Sequence, residues 1–160
     1  MAIYGVGSKW NADELKNLFQ NDKLIINCDE NLAKDLYEAL SKLKVGDIIY
    51  LKSVSPAHIR NIKIRGIGII TKSFIQCLQD KEYIDFDISN WNIFFIKVKW
   101  IVMSEFIINL PENEGKLTNK RLSPFYEEYL PFVQEKIINK ILQSLQYSYY
   151  GVNSFNINSQ

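Results

Sequence analysis

The spacing of apolar positions changes period along this chain, and each change marks a new element. Met1 to Val6 is a short apolar run entering Gly5-Val6-Gly7, which reads as a strand that runs into a loop. Asn11-Ala12-Asp13-Glu14 has the form of a helix start. Asn11 can accept from an orphan amide, and Glu14 stands at the capping-box position. Leu15, Leu18 and Phe19 give that helix one apolar face, and residues 20–23 break it. Leu24-Ile25-Ile26 follows as a short strand or extended segment. Asp29 or Asn31 can cap a second helix, in which Leu32, Leu36, Leu40 and Leu43 recur at helical spacing. Val45-Gly46-Asp47 stops it, with Gly46 supplying the left-handed residue that a helix end favours and Asp47 forming the turn.

From Ile48 the period becomes that of strands. Ile48, Tyr50 and Lys52 share one face, and Ile49, Leu51 and Ser53 the other. Ser55 to His58 is a loop. Ile62 to Thr71 is a long β-branched strand interrupted by Gly66 and Gly68, which mark a bulge, a bend or a close backbone approach. A short strand is expected over Tyr83–Phe86. Ile93 to Val102 is the clearest strand, with Phe94, Ile96, Val98 and Trp100 on one face and Ile93, Phe95, Lys97 and Lys99 on the other. Phe106–Leu110 is a further strand or an extended exit, and Pro111–Arg121 a loop. Pro124–Tyr129 reads as a short helix. Pro131 opens a longer one to about Gln146, with Val133, Ile137, Ile138, Ile141, Leu142 and Leu145 inward. There is no internal repeat and no linker. The expectation is a single domain over 1–150, its C-terminal helical part spanning 110–150, with a disordered tail over 151–160.

Composition narrows the class. With 160 residues, 47% hydrophobic and 23% charged, the chain is long enough to bury a core. No apolar run reaches the ~20 residues of a membrane span, so no membrane partner is expected. No secretory signal pattern is present, and Cys28 and Cys77 are isolated, so a reduced, cytoplasmic location is the simplest expectation. Aromatic residues reach 13%. Charge alters the picture more. Between Lys42 and Lys72 the chain carries seven basic residues and one acid, a net +6, whereas the whole chain is +1. Such segregation points to a polyanionic partner.

Catalytic patterns are missing. His58 is the only histidine and no nucleophile elbow accompanies it. Two separated Cys and one His lack zinc-ligand spacing. Gly66-Ile67-Gly68 lies inside a strand and is no phosphate loop. The residues therefore support no catalysis, metal or cofactor.

The order of elements is strand, Trp-containing loop, helix, then Val45-Gly46-Asp47-Ile48-Ile49-Tyr50-Leu51-Lys52-Ser53, then Arg65-Gly66-Ile67-Gly68-Ile69-Ile70, then Val98-Lys99-Trp100. It resembles the PUA-like superfamily over roughly residues 1–105, in particular the EVE-like branch, whose relatives include YTH, ASCH and SRA domains. The resemblance implies an α+β fold: a small mixed β-barrel with flanking helices, here followed by a C-terminal helix. It implies a module that binds DNA or RNA, with a modified base read in an aromatic-lined pocket, and the residues themselves make it non-catalytic in this reading. It also implies a setting such as bacterial defence or modification-dependent restriction.

Candidate residues follow from local context. Trp10, in Gly7-Ser8-Lys9-Trp10-Asn11, is placed either to stack on a base or to staple the first helix, and Ser8 and the helix N-terminus can hold a polar group. Ser53 ends the strand that approaches the pocket in the EVE-like pattern, and either meets a base edge or bonds local backbone. Trp91, among Ser89, Asn90 and Asn92, either closes the pocket or caps the barrel. Trp100 reads as core. Ser8, Trp10, Ser53 and Trp91 thus form the expected base pocket. Lys9, Lys52, Arg60, Lys63 and Arg65 form the expected phosphate-binding set. The alternative for Arg60, Lys63 and Arg65 is a solvated strand face.

A second reading comes from Phe125, Tyr126, Tyr129, Phe132, Tyr147, Tyr149 and Tyr150, residue types that populate interface cores. It makes the C-terminal segment a homodimerisation or docking element. A third reading, a nucleotide-acting enzyme of the ASCH type, requires a Lys–acid pair converging in the pocket.

Overall fold

The computed structural model describes residues 1–27, 38–53, 60–80, 93–112 and 125–155. The strands are β1 (Ile3–Ser8), β2 (Lys23–Asn27), β3 (Ile48–Ser53), β4 (Asn61–Lys72), β5 (Ile93–Val102), β6 (Phe106–Asn109) and β7 (Phe125–Glu127). The helices are α1 (Ala12–Gln20), α2 (Phe74–Gln79) and α3 (Pro131–Phe155), with a further helical stretch over 38–41. One sheet runs β2-β5-β4-β3-β1-β7, and β6 pairs with β4. Only the β1–β3 pairing is parallel; the others are antiparallel. The result is a curled mixed sheet, a half-barrel with flanking helices and a C-terminal helix, in keeping with the α+β fold that the resemblance implies.

The curl has local causes. β4 shifts register against β3 between Leu51 and Lys52, and against β5 on either side of Gly68–Ile70. Arg65 is the extra residue at the first shift, since Leu51 pairs with Gly66 and Lys52 with Ile64. A bulge increases local twist. The glycines beside it allow close approach: a Cβ on Gly68 would lie 2.4 Å from Val98 Cγ1, and one on Gly66 2.9 Å from the Phe19 ring. Gly66 therefore lets α1 sit directly on the bend.

Both faces of the sheet are buried. On one, Val6, Leu24, Leu51, Ile96 and Trp100 pack with Leu15 and Leu18 of α1 and Phe74 and Cys77 of α2. On the other, Ile3, Tyr50, Ile64 and Val102 pack with Val133, Ile137 and Ile141 of α3. That arrangement explains why β3 is buried from Ile48 to Lys52 with no alternation. Gly46 has φ +91° as the turn requires, and Asp47 accepts from Lys44 N at 2.9 Å and Ala2 N at 2.8 Å.

Three expectations need correction. The segment 124–129 is not a short helix: residues 125–127 form β7, antiparallel to β1, with Phe125 stacked on Tyr4 at 5.3 Å. The unpaired backbone edge of β1 outweighs the local helical pattern, so the part from 110 to 150 is not helical throughout. α3 runs to Phe155, past Gly151, so the expected tail overlaps its last turn. α2 was not expected at all, although Ser73 and Gln76 form a capping box that announces it. The strand over Tyr83–Phe86, most of the second helix, Cys28, His58 and Trp91 lie outside the described residues.

Candidate functional site

The parallel pairing of β1 with β3 places Ser8 opposite Ser53, so both strands end together. β4 begins at the same end, because Lys52 pairs with Ile64. The topology thus brings Ser8, Lys9, Trp10, Ser53 and Arg60 to one rim of the sheet. Ser53 is half-buried there, and Lys9 and Arg60 are exposed.

Trp10 is held by the start of α1. Asn11 N donates to Glu14 Oε2 at 2.9 Å and Glu14 N donates to Asn11 Oδ1 at 2.8 Å, closing the expected capping box. The indole packs half-buried against the α1-side core. It borders a cavity of about 280 Å³ between Val6 of β1 and Ile25 and Ile26 of β2, under Glu14, Asn17 and Leu18. Small-molecule sites span ~300–1,000 Å³, so the space suits one planar ring system and not several. Trp10 Nε1 is buried with no hydrogen-bond partner among the described residues. Leaving such a donor unmade costs ~1–3 kcal/mol.

The expected phosphate set divides. Lys63 Nζ and Arg65 Nη1 both reach Glu105, at 2.7 and 2.9 Å. The Lys63 hydrogen bond, opposed next by desolvation and aided by the charges of Arg65 and Lys63, holds the Glu105 carboxyl below its usual range. Arg60 donates to the carbonyls of Pro111 at 3.2 Å and Glu112 at 2.8 Å. Lys42 pairs with Glu38 and Lys72 with Asp80. Acids from elsewhere in the chain thus offset much of the positive segment. Lys52 departs furthest from expectation: it is 4% exposed, with its ammonium 5.3 Å from the Tyr126 ring centre.

Around Lys52 lies a buried polar cluster. Tyr50 donates to Glu128 Oε2 at 2.8 Å and its hydroxyl meets that of Tyr126. Glu128 Oε1 accepts from Leu130 N at 3.0 Å. Burial first, then Tyr126 and Glu128, pushes the Tyr50 hydroxyl well above its ordinary range, so it remains a donor. This cluster brings a lysine and an acid to one tyrosine, Tyr126, whereas the enzyme reading requires the two to converge in a pocket. The cluster lies inside packed core, with Tyr50 at 0% and Glu128 at 2% exposure. Neither residue lines the Trp10 cavity.

A basic and aromatic patch escaped the sequence reading. Lys23 and Lys97 are cross-strand partners, as are Ile25 and Phe95. Both ammonium groups lie over the half-buried Phe95 ring, at 5.7 and 5.2 Å. Ile25 also borders the Trp10 cavity, so the patch adjoins it. The alternation Phe95-Lys97-Lys99 was the available signal, hidden because these lysines lie outside the most basic segment. Among the described residues no cluster of His, Cys, Asp and Glu could hold a metal, and no helix is long and apolar enough to cross a membrane.

No protein-family model matches this chain, and no curated protein matches it. Solved structures do. A hypothetical protein from Leishmania major is 15% identical, covering 91% of this chain and 97% of its own, with a TM-score of 0.52. The YTH domain of Zygosaccharomyces rouxii MRB1, solved in complex with N6-methyladenosine RNA, is 18% identical over 85% of this chain and 82% of that one, with a TM-score of 0.47. A Pseudomonas putida protein is 14% identical over 88% and 99%, with a TM-score of 0.46. The first likeness shows a shared fold. YTH domains are among the structural neighbours, but likeness at the latter two levels carries no argument about ligands.

Proposed function

We propose that this protein is a non-catalytic reader of nucleic acid, which takes one base, of modified chemistry, into the cavity beside Trp10. The supporting observation is Trp10, which borders a ring-sized cavity and whose buried indole N–H has no partner among the described residues. A nucleobase supplies what is missing there, since its flat face stacks on aromatic rings and its edge offers acceptors. In this reading Ser8 and Ser53 flank the entry, and Trp91 closes it. Lys9 and Arg60 serve the phosphates on the rim, while Lys23 and Lys97 serve them beside the cavity. Lys63 and Arg65 contribute only what Glu105 leaves of their charge. The EVE-like placing, the cytoplasmic location and a role in bacterial defence belong to the same proposal.

The test is fluorescence-polarisation binding of short DNA and RNA strands, plain and base-modified, over a salt series. Modification-dependent binding should fall ~5- to 100-fold in Trp10→Ala, the worth of one stacked base. Lys23→Ala and Lys97→Ala should weaken all sequences alike and lower the salt slope by about one each. Affinity for every strand that does not change with salt would end the proposal.

A second reading, a homodimer through the C-terminal helix, has its own observation. Leu142, Leu145, Tyr147 and Tyr149 are 52%, 47%, 80% and 69% exposed, beyond the last buried position at Ile141. Sedimentation tests it: a strict monomer at high concentration rejects it.

A further inference from the structure

A second cavity, of about 460 Å³, lies between β6 and α3, away from Trp10. Its floor is the outer edge of β6. Leu110 N donates to Arg60 O at 2.8 Å, next to the register pairs Ile62–Ile108 and Ile64–Phe106. In an antiparallel ladder, alternate residues exchange both bonds with their partner. The backbone groups of Phe106, Ile108 and Leu110 are therefore spent on β4, and those of Ile107 and Asn109 point away from it. Both of these residues line the cavity, and no described strand pairs with that edge. Ile107 is 55% exposed.

The opposite wall is a stripe of α3. Lys136 and Lys140 lie one turn apart on it, and no acid among the described residues lines the space. Their ammonium groups rest over aromatic rings, Lys136 on Phe132 at 5.2 Å and Lys140 on Phe106 at 5.3 Å. The rings are thus partly covered by cations and are poorly presented to stacking bases. What remains on offer is a row of main-chain donors and acceptors beside two fixed positive charges.

We propose that this groove binds an extended acidic segment of a partner protein, which adds as a strand to β6. Main-chain bonds to Ile107 and Asn109 supply the affinity, as in other strand additions. Alternate side chains of an added strand point to one face, so acids at every second position meet Lys136 and Lys140. The proposal is independent of the base-reading function.

The probe is a fluorescein-labelled peptide of four Glu-Thr repeats, compared with four Lys-Thr repeats and with a Glu-Thr peptide N-methylated at alternate residues. The full chain should bind the first, and bind the other two at least about tenfold more weakly. Ile107→Pro removes one outward N–H at a position that makes no bond to β4, and should abolish binding while the protein stays folded by circular dichroism. Lys136→Glu with Lys140→Glu should reduce binding by roughly tenfold or more and restore it for the Lys-Thr peptide. Undetectable binding of the Glu-Thr peptide, equal binding of its N-methylated form, or full binding by Ile107→Pro would overturn the proposal. So would a homodimer lost in Ile107→Pro, or a single-stranded RNA that competes for the same lysines.

Discussion

Two tryptophans flank α1, and they are treated oppositely. Trp100 is 4% exposed, its ring meets Phe19 edge-on at 5.2 Å, and its Nε1 donates to Leu18 O at 2.9 Å. Trp10 is half-buried and its Nε1 has no partner among the described residues. Both lie against the same apolar core. A packed core does not tolerate orphan donors without cost, so the contrast separates a tryptophan bonded into the fold from one whose donor has no partner among the described residues, as the proposed base pocket requires. The sharpest test is the pair of alanine variants. Trp100→Ala should lose ~3–5 kcal/mol in urea unfolding, as large core truncations do. Trp10→Ala should lose less than about half of that, since its polar group makes no bond among the described residues, yet it alone should weaken base-dependent binding, by ~5- to 100-fold. Equal losses of stability would erase the distinction.

The polar cluster on the other face extends the comparison. There Glu128 is a shared acceptor, taking bonds from Tyr50 and from Leu130 N. Glu128→Ala should therefore cost ~1–3 kcal/mol for each donor it orphans, whereas Tyr50→Phe should cost about 1 kcal/mol because the acceptor keeps other partners. If Tyr50→Phe were the worse of the two, Glu128 would not be the hub.

Alkaline titration probes the edge where β7 joins β1. Burial chiefly, then the charges of Glu127 and Asp47, pushes the Tyr4 hydroxyl up to about 12. A folded value above the unfolded one means that the fold holds the proton more tightly. The stability is complete below pH 10 and declines as pH rises through about 12, by at most ~2–3 kcal/mol. Tyr4→Phe should flatten that decline, as read by unfolding at pH 9 and 11.5. An unchanged slope would place the titration elsewhere.

Much of the fold was legible because it depends on periods. The alternation of β4 and β5, the Asn11 cap and the left-handed Gly46 are local signals, and each holds. β7 was misread because pairing with β1 is a contact between residues some 120 apart, which no local pattern encodes. The site was less legible for the same reason. Periodicity places Lys52 on a strand face but does not say that α3 and β7 cover that face. Nor does a basic segment reveal which acids fold back onto it. Trp10 was readable as a loop tryptophan, but the missing partner of its indole is visible only in three dimensions.

The smallest expected effect bears on that charge most directly. Glu105 is exposed at its bridge to Lys63 and Arg65, so its removal should barely alter stability. Because its carboxyl is held below the usual range, the pairing is present at neutral pH and is lost only as pH falls. Glu105→Gln would release two cations toward the rim where Arg60 lies. If Glu105 withholds them from nucleic acid, the variant should bind single strands a few-fold tighter at low salt, with a salt slope steeper by about one. The gain should vanish at high salt, where released counterions no longer favour binding. If affinity and slope stay at the wild-type values, Lys63 and Arg65 brace the bend between β5 and β6, and the proposed nucleic-acid path runs over Lys9, Arg60, Lys23 and Lys97 without them.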